Sequence, residues 1–226
     1  MDERIRRAGI AYEQSVFGGH AGLLAAADRD LNGVEADLAM ARGRLMHTRF
    51  LLRRDEAAGE PVAEPGELPL FERARDLYRA LGDVGGEAEA LFWIACYHQV
   101  VRRDDAAAVP ALERSLELAT QAGAKSTMSE VLRHLGIHAH AAGRLDAARE
   151  RLEESTRLRR EAGLMPGVAA NLVGLAYIAA GQGRRDDALA LLDEAGAIAE
   201  AHGADRIVGQ VADARAAVQP ARPASG

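Results

Sequence analysis

"VLRHLGIHAHAAGRLDAARERLEESTRLRREAGL" occupies residues 131–164, and two other stretches of the chain align with it without a gap. They are "LFWIACYHQVVRRDDAAAVPALERSLELATQAGA" from residue 91 and "NLVGLAYIAAGQGRRDDALALLDEAGAIAEAHGA" from residue 171, each displaced by 40 residues. Matching columns include Phe92/Leu132/Leu172, Ala95/Leu135/Leu175, Cys96/Gly136/Ala176, Ala108/Ala148/Ala188 and Leu112/Leu152/Leu192. Gly123, Gly163 and Gly203 close the three units. A gapless period of this length is the signature of a repeat architecture.

Each unit reads as two helices. In the middle one, Leu132, Leu135, Gly136 and Ala139 form an i, i+3, i+4, i+7 stripe. "AAGRLD" turns the chain, with Gly143 as the C-cap and Asp146 near the start of the next helix. Ala148, Leu152 and Ser155 then face back, and the small residues allow the helices to approach closely. One such hairpin cannot bury its apolar face alone; stacked neighbours do so.

The stretch Leu132, Leu135, Gly136, Ala139, Gly143, Ala148, Leu152 and Ser155 resembles the signature of the tetratricopeptide repeat. Cys96 and Ala176 stand where that family often has Gly, and the 40-residue period exceeds its usual 34. The longer unit is similar to arrays in bacterial signalling ATPases and stand-alone repeat proteins. The resemblance covers about residues 67–218. It implies an all-α fold, a superhelix of about four to five α-α hairpins with a C-terminal capping helix, and a protein-binding role with no named partner.

"LPLFERARDLYRALGD" (68–83) reads as the second helix of an earlier unit, since Phe71, Ala74 and Gly82 match Leu112, Ser115 and Gly123 with one residue deleted. Its first helix is then expected at 33–54, with "DEAAGEPVAEPGE" as a loop between them. Residues 3–17 and 21–31 read as two further helices, broken at "FGGH" and "NG". The expected organisation is an atypical N-terminal part (1–66), repeats ending in a capping helix (67–218), and a disordered tail, "QPARPASG" (219–226).

Composition bounds the function. The chain has 226 residues, 48% hydrophobic but only 4% aromatic, so Ala and Leu must supply most of the packing, which suits helices. The net charge is −6 with both signs interspersed, and no basic stripe points to nucleic acid. Lys125 is the only lysine among 28 basic residues, which reads as the codon bias of a GC-rich bacterial genome. A single cysteine, Cys96, excludes an internal disulfide and fits a reducing cytoplasm. The N-terminus lacks a signal-peptide run, and no window reads as membrane-spanning. A cytoplasmic protein is the expectation.

Three histidines fall within seven positions, at 134, 138 and 140. At 100° per residue, His134 and His138 lie about 40° apart, whereas His140 lies about 200° from His138. The three therefore cannot converge on one ion from a single helix. His98 stands one period before His138, which leaves a site of His98, His134 and His138 open. "HLGIH" lacks the Glu of an HExxH helix, and no adjacent carboxylate completes a ligand set. A structural histidine column is the simpler reading, with no metal and no cofactor expected.

Opposite the core stripe run two rows, Trp93/Arg133/Val173 and Tyr97/Ile137/Tyr177, flanked by Glu130, His134 and His140. The resemblance implies that this side of the first helix lines the concave groove. Trp93, Tyr97, Glu130, Arg133, His134, Ile137, His140 and Tyr177 are therefore the candidate partner-binding residues, with Arg133 as an anion anchor and Glu130 as its counter-charge. Packing of the aromatics against the N-terminal helices or a second copy is the alternative. There is no P-loop, no G-x-G-x-x-G and no G-x-S-x-G, and Cys96 reads as a packing residue. The sequence thus points to a non-enzymatic scaffold that grips a peptide or protein segment. A small-molecule receptor or enzyme using the same groove, with His134 as acid or base, is the competing class. A homodimer is left open.

Overall fold

The computed structural model describes residues 1–56 and 63–218, with side chains for 1–54 and 63–218. Ten α-helices follow one another among the described residues, with no strand: α1 (Glu3–Gly18), α2 (Leu24–Glu56), α3 (Glu67–Leu81), α4 (Val84–Cys96), α5 (Asp105–Ala122), α6 (Lys125–Ala141), α7 (Leu145–Glu161), α8 (Met165–Gly181), α9 (Arg185–Ala201) and α10 (Asp205–Val218). Successive helices pack on each other within two compact units that divide between Gly123 and Ala124. The fold is an all-α hairpin repeat.

In the first unit, α2 pairs with α3 and α4 with α5, while α1 lies against α2. In the second, α6 pairs with α7 and α8 with α9, and α10 caps α8 and α9. The N-terminal helices thus belong to the same unit as α3–α5. The expected tail lies outside the described residues, as do residues 57–62 of the expected loop before α3.

The expected break at Asn32–Gly33 does not occur. Instead α2 runs unbroken for 33 residues. A helical glycine costs about 1 kcal/mol relative to alanine, but here neighbours close around it. A Cβ on Gly33 would meet Arg4 Nη1 at 3.3 Å and Leu81 Cδ1 at 3.9 Å. Arg4 also pairs with Asp37 at 2.7 Å, and Arg7 with Asp30 at 2.6 Å. Packing on two sides outweighs local propensity.

The hairpins rest on small residues facing large ones. A Cβ on Gly136 would lie 3.1 Å from Leu152 Cγ, and one on Gly43 only 2.5 Å from the Phe71 ring. Ala108, Ala148, Ala188, Leu112, Leu152 and Leu192 are all buried at the hairpin contacts.

The repeat carries one irregularity with consequences for every residue before it. Gly82 and Gly123, both left-handed at φ 72° and 64°, stand 41 residues apart, whereas Gly123, Gly163 and Gly203 stand 40 apart. The additional residue is absorbed in a π turn, Tyr97–Val101, where the Arg102 N–H donates to the Tyr97 carbonyl at 3.1 Å. Residues of α4 are therefore displaced by one from the 40-residue columns. Ser115 donates to the Ala88 carbonyl and its repeat-mate Ser155 to that of Ser129, both at 2.6 Å, so Ala88 corresponds to Ser129, not Met128. By the same register Ala95, not Cys96, corresponds to Gly136, Phe92 to Arg133, Trp93 to His134, and Cys96 to Ile137.

Beyond the turn the 40-residue frame resumes. Gly143 and Gly183 adopt φ 73° and 76°, and Arg103 holds the matching position at φ 52°. It is the only non-glycine with positive φ among the described residues, in a region that side chains with a Cβ enter at a cost.

Candidate functional site

The shift in register separates the expected groove residues by environment. Trp93 is half-buried in the first unit. Its ring stacks on Phe71 with centroids 5.6 Å apart and meets Phe92 and His47 edge-on at 5.2 and 5.5 Å. Arg44, which pairs with Glu89, lies over the indole with its Cζ 5.7 Å from the ring centroid. Tyr97 is 9% exposed. Both aromatics serve the packing of their own unit, contrary to the open face read from the sequence.

Behind Trp93 runs a buried polar chain that sequence reasoning missed. His47 Nδ1 lies 2.7 Å from Glu67 Oε1, and Cys96 Sγ lies 3.6 Å from His47 Nε2. Thiol, imidazole and carboxylate follow in the order of a nucleophile, its base and its orienting group. Yet Cys96 and His47 are each 4% exposed and Glu67 is fully buried, so a substrate does not reach the sulfur. The chain instead ties α2, α3 and α4 together through their cores. His47 and Glu67 lie outside the aligned repeats, so no periodicity marked them.

The second unit carries a cavity lined by several of the expected groove residues. A cavity of about 260 Å³ lies between α6, α7, α8 and α10. Ile137 and Tyr177, exposed at 41% and 38%, stand on its walls, with Val173 and Leu152 giving further apolar lining. Gly174 keeps the floor low, since a Cβ there would come within 3.1 Å of Leu152 Cδ1. Arg133 supplies the cation, and Gln210 and Asp213 from the capping helix bring polar groups to the same space. Those two residues escaped the sequence reading because α10 stands outside the repeat; their i, i+3 spacing was the only signal.

Arg133 is held but not neutralised. Its guanidinium donates to the Ala170 carbonyl at 3.1 Å and to Asn171 Oδ1 at 2.9 Å, and it makes no ion pair among the described residues. The expected counter-charge, Glu130, pairs at 2.6 Å with Arg159, a residue only 4% exposed. Burial, with the Arg159 charge adding to it and Glu130 opposing, brings the Arg133 pKa down to about 10, so the side chain stays cationic at neutral pH. Asn171 in turn donates to Ser155 Oγ at 2.8 Å, and Ser155 to the Ser129 carbonyl. The arginine thus sits on a fixed polar ladder.

Glu130, His134 and His140 lie on α6 but outside the cavity lining. His134 is half-buried and His140 exposed. Among the described residues no three His, Cys, Asp or Glu side chains gather as a metal-ligand set, and no helix is long and apolar enough to cross a membrane.

No family model and no curated protein match this chain. Among solved structures, the crystal structure of BtubC (BKLC) from P. vanneervenii is similar at 16% identity, covering 88% of this chain and 89% of that one with a TM-score of 0.47. A kinesin light chain from Podosopora anserina with nearly identical TPR-like repeats is similar at 15% identity, covering 98% and 100% with a TM-score of 0.34. Neither likeness carries a residue role or a ligand to this chain.

Proposed function

We propose that the chain acts by binding, as a helical-repeat scaffold that holds a peptide segment of a partner protein on its second unit. An apolar side chain of the peptide enters between Ile137 and Tyr177, and a carboxylate beside it docks on Arg133. Asp213 and Gln210 receive peptide N–H groups on the opposite rim. The observation that carries this reading is Arg133 itself, a cation fixed by two neutral acceptors and without an ion pair among the described residues, at the edge of a largely apolar cavity. Such a group gains most from an anionic partner in a partly desolvated setting.

Size favours this reading over a receptor that encloses a whole small molecule. Sites that enclose a drug-sized ligand run to roughly 300–1,000 Å³. A cavity of about 260 Å³ suits one side chain and its neighbouring backbone better than a whole ligand.

A peptide library displayed against the purified chain tests the proposal. Selected peptides are expected to share an acidic residue or C-terminus next to a large apolar residue. Arg133→Ala and Tyr177→Ala should each weaken the best peptide at least tenfold, about 1.4 kcal/mol or more. The melting temperature should stay near that of the parent. Undiminished binding by both folded variants would show that the partner uses another surface.

A further inference from the structure

Of the fourteen exposed large hydrophobic side chains among the described residues, eleven lie in the first 52 positions, so this apolar surface is concentrated on α1 and α2. On α2 it is ordered. Leu24, Leu31, Leu38, Leu45 and Leu52 recur every seventh residue, and all five are between 43% and 59% exposed. At 100° per residue this row lies about 160° from Ala36, Gly43 and His47, the side that faces the core. It is therefore not a leaking edge of the hairpin contact. A strict seven-residue row drifts by about 20° per heptad on a straight helix and stays continuous only against a second, supercoiled helix. The row asks for a helical partner.

The charges beside it say which one. Four residues after successive leucines stand Asp28, Glu35, Arg42 and Arg49, all exposed. The row is acidic in its N-terminal half and basic in its C-terminal half. Reversed on itself, it sets Asp28 against Arg49 and Glu35 against Arg42, with Leu38 meeting Leu38 at the centre and Leu24 meeting Leu52. A two-fold axis relating antiparallel helices brings this flank of one helix against the same flank of the other, so both pairs form twice. In a parallel pair the flank would instead meet Val34, Ala41 and Thr48, which offer no countercharge. Asp28, Arg42 and Arg49 make no ion pair among the described residues, while Glu35 shares an exposed contact with Arg73 at 2.7 Å. We infer that α2 is a self-association surface on which two copies of this chain pack antiparallel through the leucine row, an isologous contact with Asp28 and Glu35 of each copy opposite Arg49 and Arg42 of the other.

Equilibrium sedimentation of the full chain should give twice the 24.0 kDa chain mass. Leu38→Glu, which sets two like charges against each other on the two-fold axis, should give a monomer with the helical signal and melting curve of a folded chain. Asp28→Arg should weaken the dimer at least tenfold, and adding Arg49→Asp should restore it, because neither residue has an ion-pair partner among the described residues of its own chain. Cross-linking sets the direction. Leu24→Cys mixed with Leu52→Cys should form an intermolecular disulfide under mild oxidation, whereas Leu24→Cys alone should not. A wild-type monomer at every concentration, a dimer indifferent to Leu38→Glu, or self-cross-linking of Leu24→Cys would each overturn the inference. The first of these would leave the row to a helix of another protein.

Discussion

The two compact units use the same hairpin but hold it together differently. The first is fastened by rings and a buried His47–Glu67 contact, with Phe71, Trp93 and Phe92 filling the space between helices. The second has no ring in its core cluster and relies on Ala, Val, Leu and Ile, with the hydroxyl–amide ladder of Ser129, Ser155 and Asn171 as its polar spine. Bulk closes the first unit over its own aromatics. Small side chains leave the second with a lined cavity and a cation at its edge. The same hairpin therefore packs over aromatic rings in one place and over aliphatic side chains beside a lined cavity in another.

Substitutions in the two units should separate the two modes of packing. The largest effect is expected at the buried pair: Glu67→Ala leaves His47 Nδ1 without its 2.7 Å partner and a cavity beside it, and should cost about 2–5 kcal/mol in denaturant unfolding. In the second unit Ser155→Ala removes one acceptor and one donor from the ladder, and about 1–3 kcal/mol is expected. A cost at Ser155 equal to that at Glu67 would erase the contrast between the two spines.

Gly43→Ala and Gly136→Ala compare the hairpin contacts directly. The first drives a methyl to 2.5 Å from a stacked ring that cannot retreat and should cost about 1–3 kcal/mol. The second needs only a few tenths of an ångström from Leu152 and gains helix propensity, so the net change should stay under about 1 kcal/mol. Of similar size, Arg103→Gly should raise stability by up to about 1 kcal/mol by relieving the left-handed conformation that Gly143 and Gly183 already accept. A melting temperature that falls would mean that the Arg103 side chain contributes more than its backbone costs.

The sequence made the repeat legible because the period from residue 101 onward is uninterrupted, and caps such as Gly123 and Gly163 recur in φ as well as in spacing. Two features hid the rest. One additional residue in the π turn moved every column of α4 by one, so Trp93 was aligned with Arg133 when its structural counterpart is His134. Rotation by one residue is about 100°, enough to turn a groove position into a core position. Asn32–Gly33 carries the local chemistry of a break, and reading it so divided α2 and concealed the leucine row that crosses it. Tertiary contacts from Arg4 and Leu81 overrule that signal, and no local rule contains them. At the site, Arg133, Ile137 and Tyr177 were legible from the columns, whereas Gln210 and Asp213 depend on how α10 packs.

Tyr97 and Tyr177 give the most direct test, because the 40-residue columns treat them as equivalent and the structure does not. One is buried in the first unit; the other stands on the cavity wall in the second. Thermal melting of Tyr97→Ala and Tyr177→Ala, run side by side with the parent, decides between the two descriptions. The account expects Tyr97→Ala to lose about 2–5 kcal/mol, as for a large side chain removed from a core, and Tyr177→Ala to melt within about 0.5 kcal/mol of the parent. Equal losses, or a greater loss at Tyr177, would contradict the placement of Tyr97 in the core of the first unit and of Tyr177 on the cavity wall of the second.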